Sequence, residues 1–570
     1  MENPEVAQVF EEVADLLDIQ GANPFRIRAY RNAARTIGDL SERLAEMAQE
    51  PKKLEKLTGI GKDLAGKITT ILDTGDLPLR QELRAQVPPG LRDLLNVPSL
   101  GPKRAQILYQ QLRITSIDKL RQAVVKHRIA KLKGFGAKTE EKILQSLDGM
   151  EESGRRVYLA EAKVYADAIM RHLQSTPRLG QIEVAGSYRR RRDTVGDLDL
   201  LVTCSRCKDV MDRLASYEAV AGVLARGATK MTVRLRNGLQ MDLRVVPERS
   251  YGAALQYFTG SKAHNIQVRR RAQERGLKIN EYGVFRGSKR TAGRTEEEVY
   301  KAVGLPWIPP EMREARGEIE LALKGRLPRL LELSDLRGDL HMHTTATDGR
   351  ASLEEMVAAA KERGHSYIAI TDHSKRVTMA RGLDARRLRQ HWRAIDKLAG
   401  KVRGITLLKG VELDILEDGK LDLPDDVLKE ADWVVASIHY GQRQPRDQIT
   451  RRLLNAIRNP YVHAIGHPTG RLIGKRKGSD VDLETVLKAA ADHGCFMELN
   501  SQPSRLDLDD VALLAAKQRG ITLVINTDAH SVEELGFLEF GVYQARRAGL
   551  EAKNVANTRS WTQLRKLLKR

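Results

Sequence analysis

The chain has 570 residues, 41% hydrophobic and 30% charged, and carries 96 Lys and Arg against 75 Asp and Glu, a formal charge of +21. That length divides into about four domains at roughly 150 residues each, and no apolar run reaches the ~20 residues a membrane span needs. The acidic, amphipathic start MENPEVAQVFEEVADLL is unlike a signal peptide, and three cysteines (Cys204, Cys207, Cys495) exclude a disulfide framework and favour a reducing compartment.

The charge and the histidines are unevenly placed. Residues 51–300 hold 47 basic and 28 acidic side chains, whereas residues 1–50 hold 5 and 10. A concentrated basic field is the footprint of a phosphate-backbone partner. Aromatics are only 5%, which argues against base stacking as the main binding mode. Ten of the thirteen histidines lie at or after His341, so the two halves are expected to do different chemistry.

In chain order, residues 1–85 read as short amphipathic helices closed by Thr74-Gly75-Asp76 and Pro78, and residues 86–148 continue helical. One pattern occurs three times there: Gly59-Ile60-Gly61-Lys62, Ser99-Leu100-Gly101-Pro102-Lys103 and Gly134-Phe135-Gly136-Ala137-Lys138. Each sets a small-residue turn before a helix with a basic first turn. Glycine lets the backbone approach a phosphate, and a helix N-terminus offers free N–H groups. Three copies in a basic region point to DNA-backbone contact through Gly59, Gly61, Lys62, Gly101, Lys103, Gly134, Gly136 and Lys138. Such contact positions a protein without reading sequence. The pattern resembles the helix–hairpin–helix motif, with Ser99 replacing the first glycine of the second copy.

From 150 to 250 a helix at Val157–Leu173 leads to strand-like runs at Ile182–Ala185, Leu198–Val202, Met231–Leu235 and Leu239–Val246. Gly186-Ser187-Tyr188-Arg189-Arg190-Arg191-Arg192-Asp193-Thr194-Val195-Gly196-Asp197-Leu198-Asp199 opens one of them. Residues i and i+2 of a strand share a face, so Asp197 and Asp199 converge. Close carboxylates repel unless a cation lies between them, and they suit hard divalent ions. Asp242, in the alternating run Leu239–Val246, supplies a third carboxylate. Three aspartates can hold two metals for an in-line phosphoryl displacement.

This set resembles the nucleotidyltransferase signature of family X DNA polymerases, as does Tyr257-Phe258-Thr259-Gly260-Ser261 with Asn265 and Arg269. The resemblance implies that Asp197, Asp199 and Asp242 bind two Mg²⁺ or Mn²⁺ ions and that Asp242 takes the primer proton. It further implies that Gly186, Ser187 and Arg190, helped by Arg156, grip the triphosphate. Tyr257, Phe258 and Gly260 would lie against the nucleotide, and Asn265 and Arg269 on the minor-groove side. Pro24-Phe25-Arg26-Ile27-Arg28-Ala29-Tyr30-Arg31 resembles the small domain that binds the 5′ side of a gap. Lys67 occupies its Schiff-base lyase position, with Asp63 replacing a neighbouring lysine.

Past the proline-interrupted stretch 304–318, short strands alternate with helices: Tyr367–Ile370, Ile405–Leu408, Trp433–Ser437, Val462–Ile465, Phe496–Leu499 and Thr522–Ile525. Such alternation implies parallel strands. His341, His343 and Asp348 open the region, and His373, Glu412, His439, His467, Asp528 and His530 each follow an apolar run. Ligands at successive strand ends of an α/β barrel converge on one mouth, and mixed imidazole and carboxylate donors suit Zn²⁺, Mn²⁺ or Fe²⁺. The set resembles the PHP domain, a distorted (β/α)₇ barrel with up to three metals on these nine ligands.

Together the resemblances imply a multidomain α+β and α/β protein, similar in order to bacterial and archaeal-type PolX enzymes. The expected divisions are a helical lyase-like domain (1–85), a helix–hairpin–helix subdomain (86–150), a nucleotidyltransferase palm (151–250) and a nucleotide-binding subdomain (251–305). A linker (306–335) and a PHP domain (336–570) follow. The expected activity is gap-filling synthesis in base excision repair with a PHP 3′→5′ exonuclease, AP endonuclease and 3′-phosphatase action being further options. Expected partners are gapped or nicked DNA and dNTPs, with no membrane; the protein is expected to be a cytoplasmic monomer. The rivals are a nuclease tethered to DNA by an inactive polymerase half and a non-catalytic repair scaffold.

Overall fold

A computed structural model describes residues 3–38, 40, 44–48, 50–87, 91–94, 97, 100, 102–132, 134–136, 139–144, 147 and 156–568. The chain divides into two compact units, Met1–Arg155 and Arg156–Arg570. No helix among the described residues is long and apolar enough to cross a membrane.

The first unit is helical. Its apolar positions follow a helical period, so Val6, Val9, Phe10, Val13 and Leu17 of the helix Asn3–Ile19 bury one face against Ile27, Tyr30, Ala34 and Ile37 of Pro24–Gly38. The repeated turns share one hydrogen bond: Ile60 N–H to Leu57 O, Leu100 N–H to Val97 O, and Phe135 N–H to Leu132 O, each at 3.0 Å. The middle hydrophobic residues Ile60 and Leu100 are buried. Gly59 and Gly134 have φ of +81° and +88°, which side-chain-bearing residues seldom adopt. Gly61 caps the helix Lys62–Thr74. Gly101 and Lys138, both expected DNA contacts, lie outside the described residues.

The second unit begins with a five-stranded mixed sheet of strands β1 (Leu179–Val184), β2 (Asp197–Cys204), β3 (Val220–Arg226), β4 (Lys230–Leu235) and β5 (Gln240–Val245), in the order β1-β2-β5-β4-β3. β2 and β5 run parallel and the other pairs antiparallel. β5 alternates buried Met241, Leu243 and Val245 with half-buried Gln240, Asp242 and Arg244, as a strand with one apolar face must. The edge strand β3 escapes sequence reading because nearly all of it is exposed and it has no apolar alternation.

Residues 306–335, expected as a linker, are instead packed. Ile308, Met312, Ile319, Ala322 and Leu330 join the core around Val268, Ala272 and Val299, and Arg313 is fully buried. Prolines at 306, 309 and 310 leave only a single 3₁₀ turn, and left-handed Gly317 and Gly325 bracket a six-residue helix, so no periodicity betrays the packing.

The chain then forms seven parallel strands, β6 (Gly338–Asp339), β7 (Tyr367–Ile370), β8 (Thr406–Asp414), β9 (Trp433–Ser437), β10 (Ala464–Ile465), β11 (Phe496–Asn500) and β12 (Leu523–Asn526), hydrogen-bonded in sequence order. Each is followed by a helix. A parallel bridge between Met342 and Ala529 brings the last strand back to the first, giving a nearly closed (β/α)₇ barrel. The barrel also packs on the first sheet: Leu506 and Phe540 are buried in the core of Leu198, Leu200, Met241 and Leu243.

Candidate functional site

In the five-stranded sheet, Asp199 of β2 is in register with Asp242 of β5, and Asp197 lies two residues back on the same face. Burial raises the pKa of Asp199 to about 6, and the charges of Asp197 and Asp242 add to the rise. Burial and Asp242 raise that of Asp197 as well. A divalent cation relieves this kind of crowding. Asp242 accepts a hydrogen bond from Thr232 Oγ1 at 2.6 Å and pairs with Lys230 Nζ at 3.0 Å. The three carboxylates share a face without being drawn to within 4.8 Å of one another as a group.

The surrounding residues divide. Gly186 has φ +65°, and a Cβ there would meet Asp199 Oδ2 at 2.7 Å, so only glycine lets the Gly186–Arg189 turn lie against the carboxylate. Ser187 follows, half-buried. Arg156 donates to Thr194 Oγ1 at 2.9 Å and Thr194 O at 2.6 Å, beside Gly196. Arg190 is committed elsewhere, donating to Thr259 O at 2.5 Å and to Glu314 at 3.1 Å. Gly260, at φ +69°, faces that same guanidinium. Tyr257 and Phe258 form an edge-to-face pair 5.1 Å apart, with Arg244 4.3 Å over Phe258. Asn265 is buried: Gln256 Nε2 donates to its Oδ1, and its Nδ2 donates to Tyr257 O, both at 2.7 Å. Arg269 is exposed.

At the barrel mouth, three groups of side chains hold their ligand atoms within 4.8 Å: His343, Asp348, His373 and His530; His341, His343 and Asp528; and His373, Glu412 and His439. The ninth expected ligand, His467, has Nε2 3.0 Å from Glu412 Oε1. His373 Nδ1 lies 2.8 Å from Glu412 Oε2, but other buried atoms lack a hydrogen-bond partner, among them His341 Nε2, His343 Nδ1, His439 Nδ1 and His467 Nδ1. Each such atom costs roughly 1–3 kcal/mol unless something binds it, and these are the donor types that divalent metals take. The residues therefore fit metal ions.

The buried carboxylates draw positive charge into the mouth. Burial opposes charge on His373, His439 and His530. Glu412 outweighs it for His373 and His439, as Asp348 does for His530, raising them to about 9, 10 and 9. Burial, with His530 and His373, lowers His343 to about 4. His341 Nδ1 lies 2.7 Å from Glu498 Oε1, which leaves Nε2 facing the cluster. His530 Nδ1 lies 2.8 Å from Asp528 O and does the same. Fixing one imidazole nitrogen to present the other is how ligand histidines are oriented.

Matches to known families run through the chain: a helix–hairpin–helix domain at residues 1–77, a helix–hairpin–helix tandem at 91–148, a DNA polymerase beta palm at 156–253, a DNA polymerase beta thumb at 254–314 and a PHP domain at 339–502. A Bacillus subtilis protein described as "DNA polymerase/3′-5′ exonuclease PolX" is 40% identical over 575 residues, covering 100% of both chains. The chain belongs to the PolX family. Its barrel alone is similar to a probable phosphatase of Thermoanaerobacter, 33% identical over 231 residues, which cover 39% of this chain and 89% of that one. A probable phosphatase of Photobacterium profundum is 31% identical over 217 residues, covering 35% and 81%.

Within this PolX-family chain, sequence reading passed over the residues that hold the candidate ligands. Glu498 binds His341 and, through Oε2, the His467 N–H at 2.7 Å. Asn500 Nδ2 donates to Asp528 at 2.9 Å. Asp372 pairs with His391 at 2.9 Å and accepts from Thr344 and Thr347. The signal was available only weakly: Glu498 and Asn500 sit inside the apolar strand β11, where a carboxylate needs a reason. His463 is structural, its Nδ1 accepting from Val434 N–H and its ring stacking on Trp433. In the first unit, Lys67 contacts Asp63 at 2.5 Å and lies over the Tyr30 ring. Burial opposes its charge, but Asp63 and Tyr30 prevail and raise its pKa, the wrong direction for a nucleophilic amine.

Proposed function

We propose that this protein is a DNA-directed DNA polymerase that fills short gaps in base excision repair, and that its barrel is a metal-dependent 3′→5′ exonuclease that clears misplaced or blocked 3′ ends. One observation carries the reading: a single chain of this family holds both a complete triad, Asp197, Asp199 and Asp242 on adjoining parallel strands, and a complete nine-residue ligand set. A tether would not need the first, nor a scaffold either one.

Asp197, Asp199 and Asp242 would hold two Mg²⁺ or Mn²⁺ ions, as an all-oxygen set prefers. The imidazole-rich mouth would hold up to three Mn²⁺, Zn²⁺ or Fe²⁺ ions. When bound, such ions neutralise charge on the phosphoryl oxygens and leaving group. Asp242 Oδ2, turned toward Lys230, receives the proton of the primer 3′-hydroxyl. The Gly186–Ser187 turn and Arg156 seat the triphosphate, and Arg190 joins them by exchanging Glu314 for phosphate. Tyr257, Phe258 and Gly260 flank the sugar, Asn265 fixes the Tyr257 backbone, and Arg269 faces the minor groove. Gly59, Gly61, Lys62, Gly101, Lys103, Gly134, Gly136 and Lys138 hold the flanking duplex. The likeness to probable phosphatases supports including 3′-phosphate ends among the barrel's substrates. Lys67 is given no lyase role. The divisions at 85, 150 and 250 are kept, 306–335 is assigned to the subdomain before it, and the protein is taken to work in the cytoplasm as a monomer on DNA.

The test is a 5′-labelled primer on a one-nucleotide gap with Mn²⁺. Extension with dNTPs and shortening without them is the expected result. Shortening under both conditions would leave only a tethered nuclease.

A further inference from the structure

Residues 471–477 form a small hairpin. Leu472 and Arg476 exchange backbone hydrogen bonds at 2.9 and 2.8 Å, and the turn passes through Gly474 at φ +72°. Its base is fixed: Arg471 Nε donates to Arg505 O and Nη2 to Leu506 O, both at 2.7 Å, and Ile473 N–H donates to Ser504 O at 2.8 Å. Its tip, Gly474 to Lys477, is exposed.

The hairpin touches the surroundings of both active sites. On one side, Tyr158 OH donates to Ile473 O at 3.0 Å, Arg471 lies 3.5 Å from Asp193, and Ile473 packs on the core of the five-stranded sheet. Tyr158 is paired with Thr194, which holds Arg156 next to Gly196 and Asp197. On the other side, Gly470 N–H donates to the carbonyl of His467, and Asp507 holds Gly470 N–H and Thr469. Three residues thus separate a barrel ligand from the base of the hairpin.

Its charge is unbalanced. Arg471 is balanced by Asp193 and Asp509, and Arg476 donates to Gly470 O, but Lys475, Arg476 and Lys477 add three cations at the tip of a stretch, Gly466–Ser479, that contains no carboxylate. Partial burial, and after it the charges of Arg505 and Arg443, lower the pKa of Arg476. Arg505 Nη1 is buried without a hydrogen-bond partner. A row of cations with an unused buried donor calls for a run of anions, and the anions this enzyme handles are phosphodiesters. His341 and His343 are fully buried while His530 and Asp348 are partly exposed, so the site is recessed and suits a frayed single strand better than a duplex end.

We propose that the hairpin 471–477, with Arg443 and Arg505, is a phosphate-binding bridge that leads the single-stranded 3′ end of a primer from the polymerase site to the barrel mouth. This rests on the two activities proposed above. Transfer then needs no movement between the sheet and the barrel, which form one compact unit; the strand alone moves.

The test uses the full chain with Mn²⁺, a 5′-labelled primer with three mismatched 3′ nucleotides in gapped duplex, and bis(p-nitrophenyl) phosphate as a substrate too small to span the hairpin. Lys475→Glu/Lys477→Glu should lower the ratio of primer shortening to small-ester hydrolysis about tenfold. The milder Lys475→Gln/Lys477→Gln should flatten the salt dependence of primer shortening by about 1.4 in log–log slope, two single-strand contacts' worth. An unchanged ratio and slope, or an equal fall on both substrates, would overturn the bridge while leaving the nuclease standing. Unmutated protein that shortens no primer would overturn the nuclease reading itself.

Discussion

Asp199, half-buried, and Glu498, fully buried, are each a strand carboxylate beside a cluster of donors, yet the function proposed above gives them different activities. Replacing Asp199 by Asn removes a charge from the face it shares with Asp197 and Asp242. Single-turnover extension of a gapped primer should fall at least about a hundredfold, with primer shortening unaffected. Glu498→Gln should do the reverse. It weakens the hold on His341 Nδ1 and should cost about 10–100-fold in metal affinity or primer shortening, with extension kept; metal titration of the apo-protein alongside both assays checks it. The difference in legibility is instructive. Asp199 announces itself through the G-S…G-D-x-D spacing, whereas Glu498 is one acidic letter in Phe496-Met-Glu-Leu-Asn500 and gains meaning only when β11 is laid beside β12. Arg190 and Asn265 show the opposite limit: their positions were readable, but their partners Glu314 and Gln256 depend on packing that no spacing encodes.

The repeated turns invite a test at the scale of an element. Gly59 and Gly61 look alike in sequence but do different work. Gly59 sits at φ +81°, so Gly59→Ala should cost about 1 kcal/mol or more in stability, read from urea midpoints. Gly61 sits at φ −88° with nothing within 4 Å of a Cβ. Gly61→Val should therefore lower stability by no more than about 1 kcal/mol. Its side chain would still stand where a phosphate must approach the helix N-terminus, so the Kd for gapped DNA should rise several-fold. Equal effects from both variants would count against backbone contact by these turns. Elements with a regular period were the most legible: six of the seven barrel strands were read, although β8 runs on to Asp414 past its expected end at Leu408, and the two-residue β6 was not read as a strand. The exposed edge strand β3 and the packed segment 306–335 were not legible, since one lacks an apolar face and the other is chopped by prolines before a period can repeat.

Across the whole molecule, the sheet, the 306–335 segment and the barrel are joined by buried ion pairs. Glu314 meets Arg190 at 3.1 Å and Arg547 at 3.0 Å; Arg547 reaches Asp510 at 2.5 Å; Arg316 meets Asp510 at 2.8 Å. Glu296 meets Arg189 at 2.8 Å and Arg313 at 2.6 Å. Burial alone would raise Glu296 and Glu314. Arg313 and Arg189 bring the first, and Arg547 and Arg190 the second, down to about 2. A carboxylate with a depressed folded pKa contributes stability above its unfolded value, here 4.5. That contribution, up to roughly 3 kcal/mol apiece, should disappear as pH falls from about 4.5 toward 2. Urea midpoints across that range should drop steeply in the unmutated protein and less steeply in Glu314→Gln, which starts lower because it leaves Arg547 short of a partner.

Leu506 and Phe540 are barrel residues, yet they finish the interior of the sheet that carries the aspartates. This bears on how such a protein can change by descent. A lineage with no further use for the nuclease can lose its histidines together with the buried carboxylates they pair with. It cannot discard the barrel, because a gene shortened at the barrel's start would leave the polymerase interior open to water. The expected relic of lost nuclease function is therefore a full-length chain whose barrel persists with its ligands replaced.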